Sequence, residues 1–354
     1  MRWKLPLVAI ATVIILLPLA AVVELPGERD VKDAIGIGQR SPCGPVINKG
    51  VAGTWRSEPP VPTLRDGPVG AVVGPHAYLV GGIASFNDDG TTADSLDTVE
   101  RFDFRTGEYE SLPPLPRELN HVAVAAVGGT VYAMGGLDDD FEELAATGES
   151  WRYVPDQRRW EEVAPLPTPR GAAGATVVDG KIYVVGGVAN GDRKTTLEVY
   201  EPAEDRWEKL PPMEVPRDHL GVAALGGKIY AVGGRQSEEA APLDDSEVYD
   251  VATGEWAKLS PTPEAKAGFG FEAIRGRLVA AGGENLGRRI LSGAVWAYEP
   301  NADTWERLPD MTVPKHGFAM VRHDDRLWAF AGSRCSGFVP VRSVESYAPP
   351  RIGS

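Results

Sequence analysis

The chain has 354 residues, of which 43% are hydrophobic, enough for one large domain or two ordinary ones with a buried core. Its 41 glycines and 30 prolines are many for a globular protein, but they lack the low-complexity bias of a disordered one. The formal net charge of −14 argues against a nucleic-acid partner, because proteins that bind nucleic acid usually carry a basic face.

The N-terminal segment predicts a membrane anchor. Arg2 and Lys4 precede an uncharged run from Leu5 to Val23, which as a helix would span about 28 Å, close to the hydrocarbon thickness of a bilayer. Positive charge on the short side predicts that the N-terminus is cytoplasmic and the rest lies outside the cytoplasm. We expect residues 1–23 to be a single-pass signal anchor. The alternative is a cleaved signal peptide, which would make the protein secreted.

Residues 24–52 have neither a helical nor an alternating apolar period, and we interpret them as a stalk or linker. They contain Cys43, and the only other cysteine, Cys335, lies near the end of the chain. An even pair in an exported protein suggests a disulfide that ties the stalk to the last repeat. Two unpaired thiols are the alternative, since sequence alone does not show that the two residues meet.

Six similar units fill residues 53–354. Each unit has an apolar run that ends in a glycine pair, or in Ala-Gly in the last unit, and an aromatic residue 27 positions before the final glycine. These aromatic–glycine pairs are Trp55–Gly82, Tyr109–Gly136, Trp160–Gly187, Trp207–Gly234, Trp256–Gly283 and Trp305–Gly332. A second aromatic comes 7 positions before five of the six: Phe102, Tyr153, Tyr200, Tyr249 and Tyr298. The constant spacing indicates a repeat protein.

Each unit has the pattern of four short β-strands separated by turns. The first strand is rich in glycine and alanine, as in GVAALGG (221–227), and the second is the apolar run, as in KIYVVGG (181–187). The third carries the Tyr and the fourth begins at the Trp. Because so small a unit cannot bury both of its faces alone, neighbouring units must stack, with the small residues of the first strand nearest the axis.

Paired glycines, then a Tyr and a Trp about seven residues later within a unit of about 50 residues, closely resemble the Kelch motif. The resemblance implies a β-propeller with one four-stranded blade per repeat, here six blades. Small departures are Tyr109 for Trp, Phe102 for Tyr and Ala331-Gly332 for the last glycine pair. The predicted fold class is therefore all-β, a six-bladed Kelch-type propeller over residues 53–354, preceded by one transmembrane helix.

The ends of the repeat array predict how the ring closes. The last unit stops after Tyr347, before a fourth strand, whereas the first Trp-bearing segment, TWRSEPP (54–60), has no preceding strands of its own. We expect this segment to be the outer strand of the sixth blade. Closure in this way removes the bare edges that invite aggregation.

Variation in length falls between the glycine pair and the Tyr, in the loop that joins strands two and three. This loop is longest in the first two units, where it is acidic: ASFNDDGTTADSLD (84–97) and LDDDFEELAATGE (137–149). Variable loops on a rigid scaffold often bind partners. The alternatives are a solvated surface, or a calcium site from Asp88, Asp89 and Asp94 or from Asp138–Asp140. Neither stretch has the spacing of a calcium-binding loop, and we expect no metal.

A basic residue recurs after each Trp position, mostly at the tenth place, and predicts a candidate ligand-binding collar around one channel mouth. The residues are Arg65, Arg117, Arg170, Arg217, Lys266 and Lys315. Such a ring would hold a carboxylate, a phosphate or an acidic peptide. In the alternative, these residues pair with third-strand carboxylates such as Glu100, Glu198, Glu247 and Glu345. His121, His219 and His316 come next along the chain; we expect them to be wall residues, too far apart by symmetry to share a metal.

The predicted function is an extracytoplasmic binding module that recognises a protein or an anionic ligand. The binding face is the one that carries the loops between strands two and three of each blade (2–3 loops) and the loops from strand four to strand one of the next blade (4–1 loops). The Kelch resemblance also implies an alternative, a sugar-processing enzyme of the sialic-acid-epimerase type. The copper-radical oxidases of the family require a Tyr–Cys cross-link that neither cysteine is placed to make. Hydrolase, zinc and nucleotide motifs do not occur in the sequence. We therefore predict neither catalytic residues nor a cofactor, and enzymatic activity stays open.

Overall fold

A computed structural model describes residues 46–47, 55–87, 91–140, 143–237 and 241–350. In these residues the chain forms six four-stranded antiparallel sheets, which confirms the all-β six-bladed propeller. The first strands of successive sheets pack against one another around a central axis, so that the sheets become the blades of a ring.

The first five blades are each built from consecutive parts of the chain, with strands in the order inner to outer. Blade one contains Val69–Val73, His76–Val80, Val99–Asp103 and Tyr109–Leu112. Blade two contains Ala123–Val127, Thr130–Leu137, Ala146–Val154 and Arg159–Glu162. Blade three contains Gly174–Val178, Lys181–Val185, Leu197–Glu201 and Arg206–Leu210. Blade four contains Gly221–Leu225, Lys228–Val232, Ser246–Asp250 and Glu255–Lys258. Blade five contains Gly270–Ile274, Arg277–Ala281, Val295–Glu299 and Thr304–Leu308.

Blade six combines both ends of the propeller. Its first three strands are Ala319–His323, Arg326–Phe330 and Val344–Tyr347, and its outer strand is Arg56–Glu58 from the start of the ring. Trp55 stacks on Tyr347 with ring centroids 5.1 Å apart, and its indole N–H donates to the Pro309 carbonyl at 3.1 Å. The N-terminal outer strand thus occupies the place that the repeat pattern predicts for it.

Close packing between inner strands explains their small residues. A Cβ added to Gly221 would lie 2.6 Å from Phe271 of the next blade, and one added to Gly174 would lie 2.2 Å from Val222. Larger side chains would push the blades apart at the axis. Further out, the predicted Tyr and Trp residues pair, as in Tyr200–Trp207 with centroids 5.0 Å apart, and the Trp207 indole donates to the Ala164 carbonyl of the preceding blade.

Short strands and a 3-10 helix lie in the loops between strands two and three, on one face of the propeller. These are the strands Ile83–Phe86, Ala93–Ser95, Val188–Ala189, Asp192–Arg193, Glu284–Asn285 and Ile290–Ser292, and the 3-10 helix Leu286–Arg288. A second 3-10 helix, Pro155–Gln157, lies at the opposite face. Upstream of the ring, Val46–Ile47 pairs in parallel with Leu291–Ser292, so the segment before the propeller reaches the loop face of blade five.

Candidate functional site on the loop face

The predicted basic collar lies inside the blades. Arg65, Arg170 and Arg217 are fully buried. Arg170 is typical: Nη1 lies 2.5 Å from Glu198, and Nε and Nη2 donate to the carbonyls of Gly186 and Val184 at 2.8 and 3.0 Å. Each guanidinium therefore joins a third-strand carboxylate to backbone carbonyls within its own blade.

The two lysines of the set are buried in the same way. The Nζ of Lys315 donates to the carbonyls of Ala329 and Ser343, both at 3.0 Å, and that of Lys266 lies 3.4 Å from the Ala294 carbonyl. Burial lowers the pKa of each lysine to about 8. The Lys315 amine thus links Ala329 of the second strand to the residue before the third strand, whereas Lys266 contacts the residue before the third strand of its own blade. Neither side chain has more than a trace of surface to offer a ligand.

Arg117 differs because it comes two places earlier in its unit, where Leu119 takes the buried place. It is exposed and pairs with Glu149 at 2.9 Å and with Asp138 at 3.8 Å. The expectation of a positive ring at the channel mouth is thus corrected. Five of the six cations are internal, where they satisfy buried carboxylates and carbonyls, and the sixth sits among acidic loops.

A cleft with acidic walls opens between the long loops of blades one and two. We call it the acidic cleft; its volume is about 440 Å³, and it is lined by Asp97, Leu115, Pro116, Arg117, Glu118, Asp138 and Asp139. A neighbouring hollow of about 430 Å³ is lined by Thr91, Thr92 and Asp138–Asp140. The two loops that the sequence singled out as long and acidic therefore form one continuous surface.

Hydrogen bonds hold these two loops together. The Ala93 amide donates to the Asp139 carbonyl at 2.9 Å, and the Ser95 amide donates to the Asp139 carboxylate at 3.1 Å. Asp88 and Asp89, two residues of the alternative calcium site, lie outside the described residues. In the described part of the chain, no group of three His, Cys, Asp or Glu side chains is arranged to hold a metal ion.

A ring of six residues surrounds the axis on the same face. This axial ring consists of Gly67, His121, Ala172, His219, Gly268 and Gly317, all with φ between 49° and 64°. Amide groups link successive members: those of Ala172, His219 and Gly268 each donate to the carbonyl of the preceding member at 3.0 Å. The left-handed conformation turns the backbone at each of these six positions, and the hydrogen bonds join the turns around the axis.

The expectation that the histidines are kept apart by symmetry is wrong for two of them. The Nε2 atoms of His121 and His219 lie 2.9 Å apart, with ring centroids at 4.7 Å. Both residues belong to the axial ring, so their side chains converge although their blades are not adjacent. Burial, together with the positive charge of His219 and Arg235, holds the pKa of His121 well below its usual value.

His316 lies on the blade-six side of the same mouth. Its Nε2 contacts the Cys335 and Gly337 carbonyls, both at 2.8 Å, and its Nδ1 lies 3.6 Å from Glu284. Burial lowers the pKa of His316, but the Glu284 and Asp66 carboxylates outweigh this effect and raise it above its ordinary value. The sequence does not predict that these histidines come together at the axis. It carries one signal of the axial ring, because four of its six positions are Gly or Ala, as expected where the backbone is crowded.

Cys335 is buried beside this cluster, while Cys43 lies outside the described residues. The neighbouring Ser336 donates to the Glu284 carboxylate at 3.0 Å, and Glu284 pairs in a sheet with Leu291. Leu291 in turn pairs with Val46, three positions after Cys43. The disulfide stays a prediction; these contacts connect Cys335 only to Val46–Ile47, the described part of the upstream segment.

Comparison with known proteins agrees with the repeat pattern. The model of the KLHDC2/KLHL20/DRC7 Kelch-repeats domain matches residues 67–261, more than half of the chain, and that of the Kelch motif matches residues 265–312. The solved structure described as "Structure of YjhT" superposes with a TM-score of 0.69 at 15% identity, over 81% of this chain and 95% of the other, which shows a shared fold.

Two relatives illustrate the extent of the similarity. Kelch-like protein terF of Aspergillus terreus is 36% identical over 34% of this chain and 26% of its own length. Kelch-like protein 41b of Danio rerio is 35% identical over 42% of this chain and 23% of its own length. The matches thus span about a quarter of the length of these relatives.

The predicted location, a membrane-anchored protein with its propeller outside the cytoplasm, is contradicted. Over the ranges that the structure describes, no helix is both long and apolar enough to cross a bilayer, and the relatives are Kelch-like proteins. The predicted anchor at residues 1–23 lies outside those ranges. Six blades of the expected pattern and a family match over more than half of the sequence establish that the chain belongs to the Kelch-repeat family.

Proposed function

We propose that the propeller is a protein-interaction module, and that its partner places a basic segment in the acidic cleft. The observation that carries this proposal is the cleft itself, a concave surface with carboxylates from two blades. Loops on a rigid scaffold commonly bind partners, and complementary charge favours a partner rich in Lys or Arg.

The charges within the cleft support a cationic ligand. Glu118 is exposed and Asp97 is partly exposed, and both line the cleft. The one basic side chain among the lining residues, Arg117, is engaged by Glu149 and Asp138. A lysine or arginine from a partner would therefore enter a field that is negative on balance.

The same considerations weaken the anionic-ligand form of the prediction. An anion on this face would need exposed cations, whereas Arg65, Arg170 and Arg217 are already bonded to glutamates inside the blades. A protein partner with a basic segment fits the exposed surface better.

A peptide-binding assay with charge-matched variants tests the proposal. The probe is a fluorescent peptide of alternating lysine and glycine, titrated against the full chain by anisotropy. The cleft variant is Asp97→Lys with Glu118→Lys. The control is Asp156→Lys with Glu255→Lys, which makes the same change in net charge near the turns of the opposite face.

We expect the cleft variant to lose about tenfold in affinity and the control to stay within about twofold, because a local field decides the binding of a docked cation. Equal losses in both variants would mean that only the total charge attracts the peptide. An unchanged affinity in the cleft variant would place the binding surface elsewhere. Circular dichroism of both variants verifies that they are folded.

A further inference from the structure

The loop between strands two and three of blade six lies where blade six meets blade one, and we call residues 333–341 the seam loop. It folds back on itself, since the Arg334 amide donates to the Val339 carbonyl at 3.1 Å. Val341 also forms a bridge with Arg65, which precedes the first strand of blade one. The seam loop is therefore a compact element that joins these two blades on the loop face.

Buried polar groups of blades five and six hold one side of the seam loop. The Glu284 carboxylate accepts from the Ser336 hydroxyl at 3.0 Å and from the Gly337 amide at 3.2 Å. Nε2 of His316 lies 2.8 Å from the carbonyl oxygens of both Cys335 and Gly337. Because a carbonyl oxygen only accepts, Nε2 carries a proton and donates to them. Glu284 and His316 are buried, so releasing the loop would leave buried polar groups unsatisfied.

The other side of the seam loop packs on blade one. The Phe338 ring meets the Phe86 ring edge to face, with centroids 4.9 Å apart and ring planes at 84°. Phe86 is the last residue of the strand Ile83–Phe86, which pairs with Ala93–Ser95 to form the loop hairpin of blade one. Asp97, two positions after this hairpin, lines the acidic cleft. The seam loop therefore contacts the hairpin that leads into one wall of the cleft.

Blade two, the other neighbour of blade one, also holds this hairpin. The Ala93 amide donates to the Asp139 carbonyl at 2.9 Å, and the Ser95 amide donates to the Asp139 carboxylate at 3.1 Å. The side-chain amide of Asn120 donates to the Ser95 hydroxyl at 2.8 Å. A two-stranded hairpin is only marginally stable by itself in water, so its position depends on the contacts that neighbouring elements make with it. One of these contacts is the ring of Phe338.

We propose that the seam loop positions the blade-one wall of the acidic cleft, and that Glu284 and His316 act on this wall through the loop. The contacts form a continuous series, from Glu284 to the seam loop, from Phe338 to the hairpin, and from the hairpin to Asp139. A wall that is already ordered loses less conformational entropy when a partner binds, which favours tighter binding. As a statement about binding, the inference rests on the proposed function, whereas the position of the hairpin can be measured without a partner.

Amide hydrogen exchange of the full chain, followed by NMR, measures how firmly the hairpin is held. In Phe338→Ala we expect the Ala93 and Ser95 amides to exchange about five- to tenfold faster, because the aromatic contact is lost. The rates are taken relative to those of the blade-two strand Thr130–Leu137, which corrects for any change in overall stability. Phe338→Tyr keeps the ring and should stay within about twofold of the wild type.

Two further variants separate the seam loop from other contacts between the same blades. Phe104→Ala is the matched control, because it removes a half-buried ring of blade one that packs on Trp328 of blade six at the opposite face, and it should leave both amides unchanged. Ser336→Ala weakens the anchor at Glu284 and should accelerate the same amides about twofold or more. Added to Phe338→Ala it should have no further effect, since the loop then no longer contacts the hairpin. Ser336→Ala also keeps the test open if Phe338→Ala does not fold.

Binding of the lysine–glycine peptide then connects the hairpin to the cleft, and we expect Phe338→Ala to lose about two- to fivefold in affinity. Unchanged exchange of the Ala93 and Ser95 amides in Phe338→Ala would overturn the inference, whatever the peptide does. Faster exchange with unchanged affinity would refute the link to binding. If the wild type itself does not bind the peptide, the proposed function fails, and faster exchange still supports the positioning of the hairpin.

Discussion

Arg170 and Glu198 lie 2.5 Å apart inside blade three, and solvent reaches neither side chain. The carboxylate also accepts from the Thr168 hydroxyl at 2.7 Å, so the pair connects the start of the blade to its third strand. Equivalent contacts at Arg65–Glu100 and Arg217–Glu247 make this a repeated structural element.

Breaking this pair should destabilise the propeller strongly. Arg170→Ala leaves the buried Glu198 with only the more distant Lys209, 3.8 Å away, as a cation, and we expect the free energy of unfolding to fall by about 3–5 kcal/mol. Arg117→Ala is the matched control at an exposed ion pair and should change stability by less than about 1 kcal/mol. Denaturant titration measures the free energy of unfolding of both variants. Similar losses would show that burial does not determine how much each cation stabilises the propeller.

Glu272 should make the free energy of unfolding fall as pH rises. It lies on the inner strand of blade five, and burial raises its pKa to about 7, against the opposing effects of the Ala273 amide and Arg322. Between about pH 4.5 and 7 the folded chain keeps a proton that the unfolded chain has released, so this residue makes stability fall as pH rises.

Glu272→Gln should therefore match the wild type at pH 4 and exceed it by about 1–3 kcal/mol at pH 8. Urea unfolding at both pH values measures the difference. Glu208→Gln, at an exposed position of blade three, is the control and should show no such divergence. A Glu272→Gln effect that is the same at both pH values would contradict the assignment.

Ring closure makes Trp55 as important as its equivalents within continuous blades. Trp305 packs against Tyr298 in blade five with centroids 5.0 Å apart and tilted ring planes, and Trp55 fills the equivalent place against Tyr347 in blade six. We expect Trp55→Ala and Trp305→Ala each to reduce the free energy of unfolding by about 3–5 kcal/mol. A loss below about 1 kcal/mol for Trp55→Ala alone would mean that the N-terminal strand does not close the ring in solution.

The predicted Cys43–Cys335 disulfide can be tested by peptide mapping without reduction. Val46, which follows Cys43 by three positions in the sequence, is paired to the loop strand of blade five. We expect a cross-linked peptide that contains both cysteines, and a loss of about 2–4 kcal/mol in either Cys43→Ser or Cys335→Ser. Free thiols on both cysteines in the intact protein would refute the bridge.

The fold was predictable because each feature of the repeat reflects one packing requirement. Gly221 and Gly174 are small because the neighbouring inner strand lies within contact distance. The missing fourth strand after Tyr347 and the unaccompanied Trp55 together predicted the closure, which the pairing of Arg56–Glu58 with Val344–Ser346 confirms.

The site was less predictable, since its features depend on where side chains point. The regular spacing of the basic residues, Arg170 among them, is compatible both with a surface collar and with buried ion pairs. The structure distinguishes the two, because it places Glu198 next to Arg170 inside the blade. The contact between His121 and His219 depends on left-handed backbone at the axis, which moves both rings inward. A pattern of residue types does not encode that turn for His as it does for Gly.

The seam in blade six also constrains the order in which the protein can fold. Each of blades one to five consists of strands close in sequence, so its contacts are local. Blade six needs Trp55 to meet Pro309, 254 positions later, and Arg56 to pair with Ser346. During synthesis the outer strand of blade six is made first, but its partner strands are made last. We therefore expect ring closure, which brings together residues far apart in the sequence, to be the last and slowest step of folding.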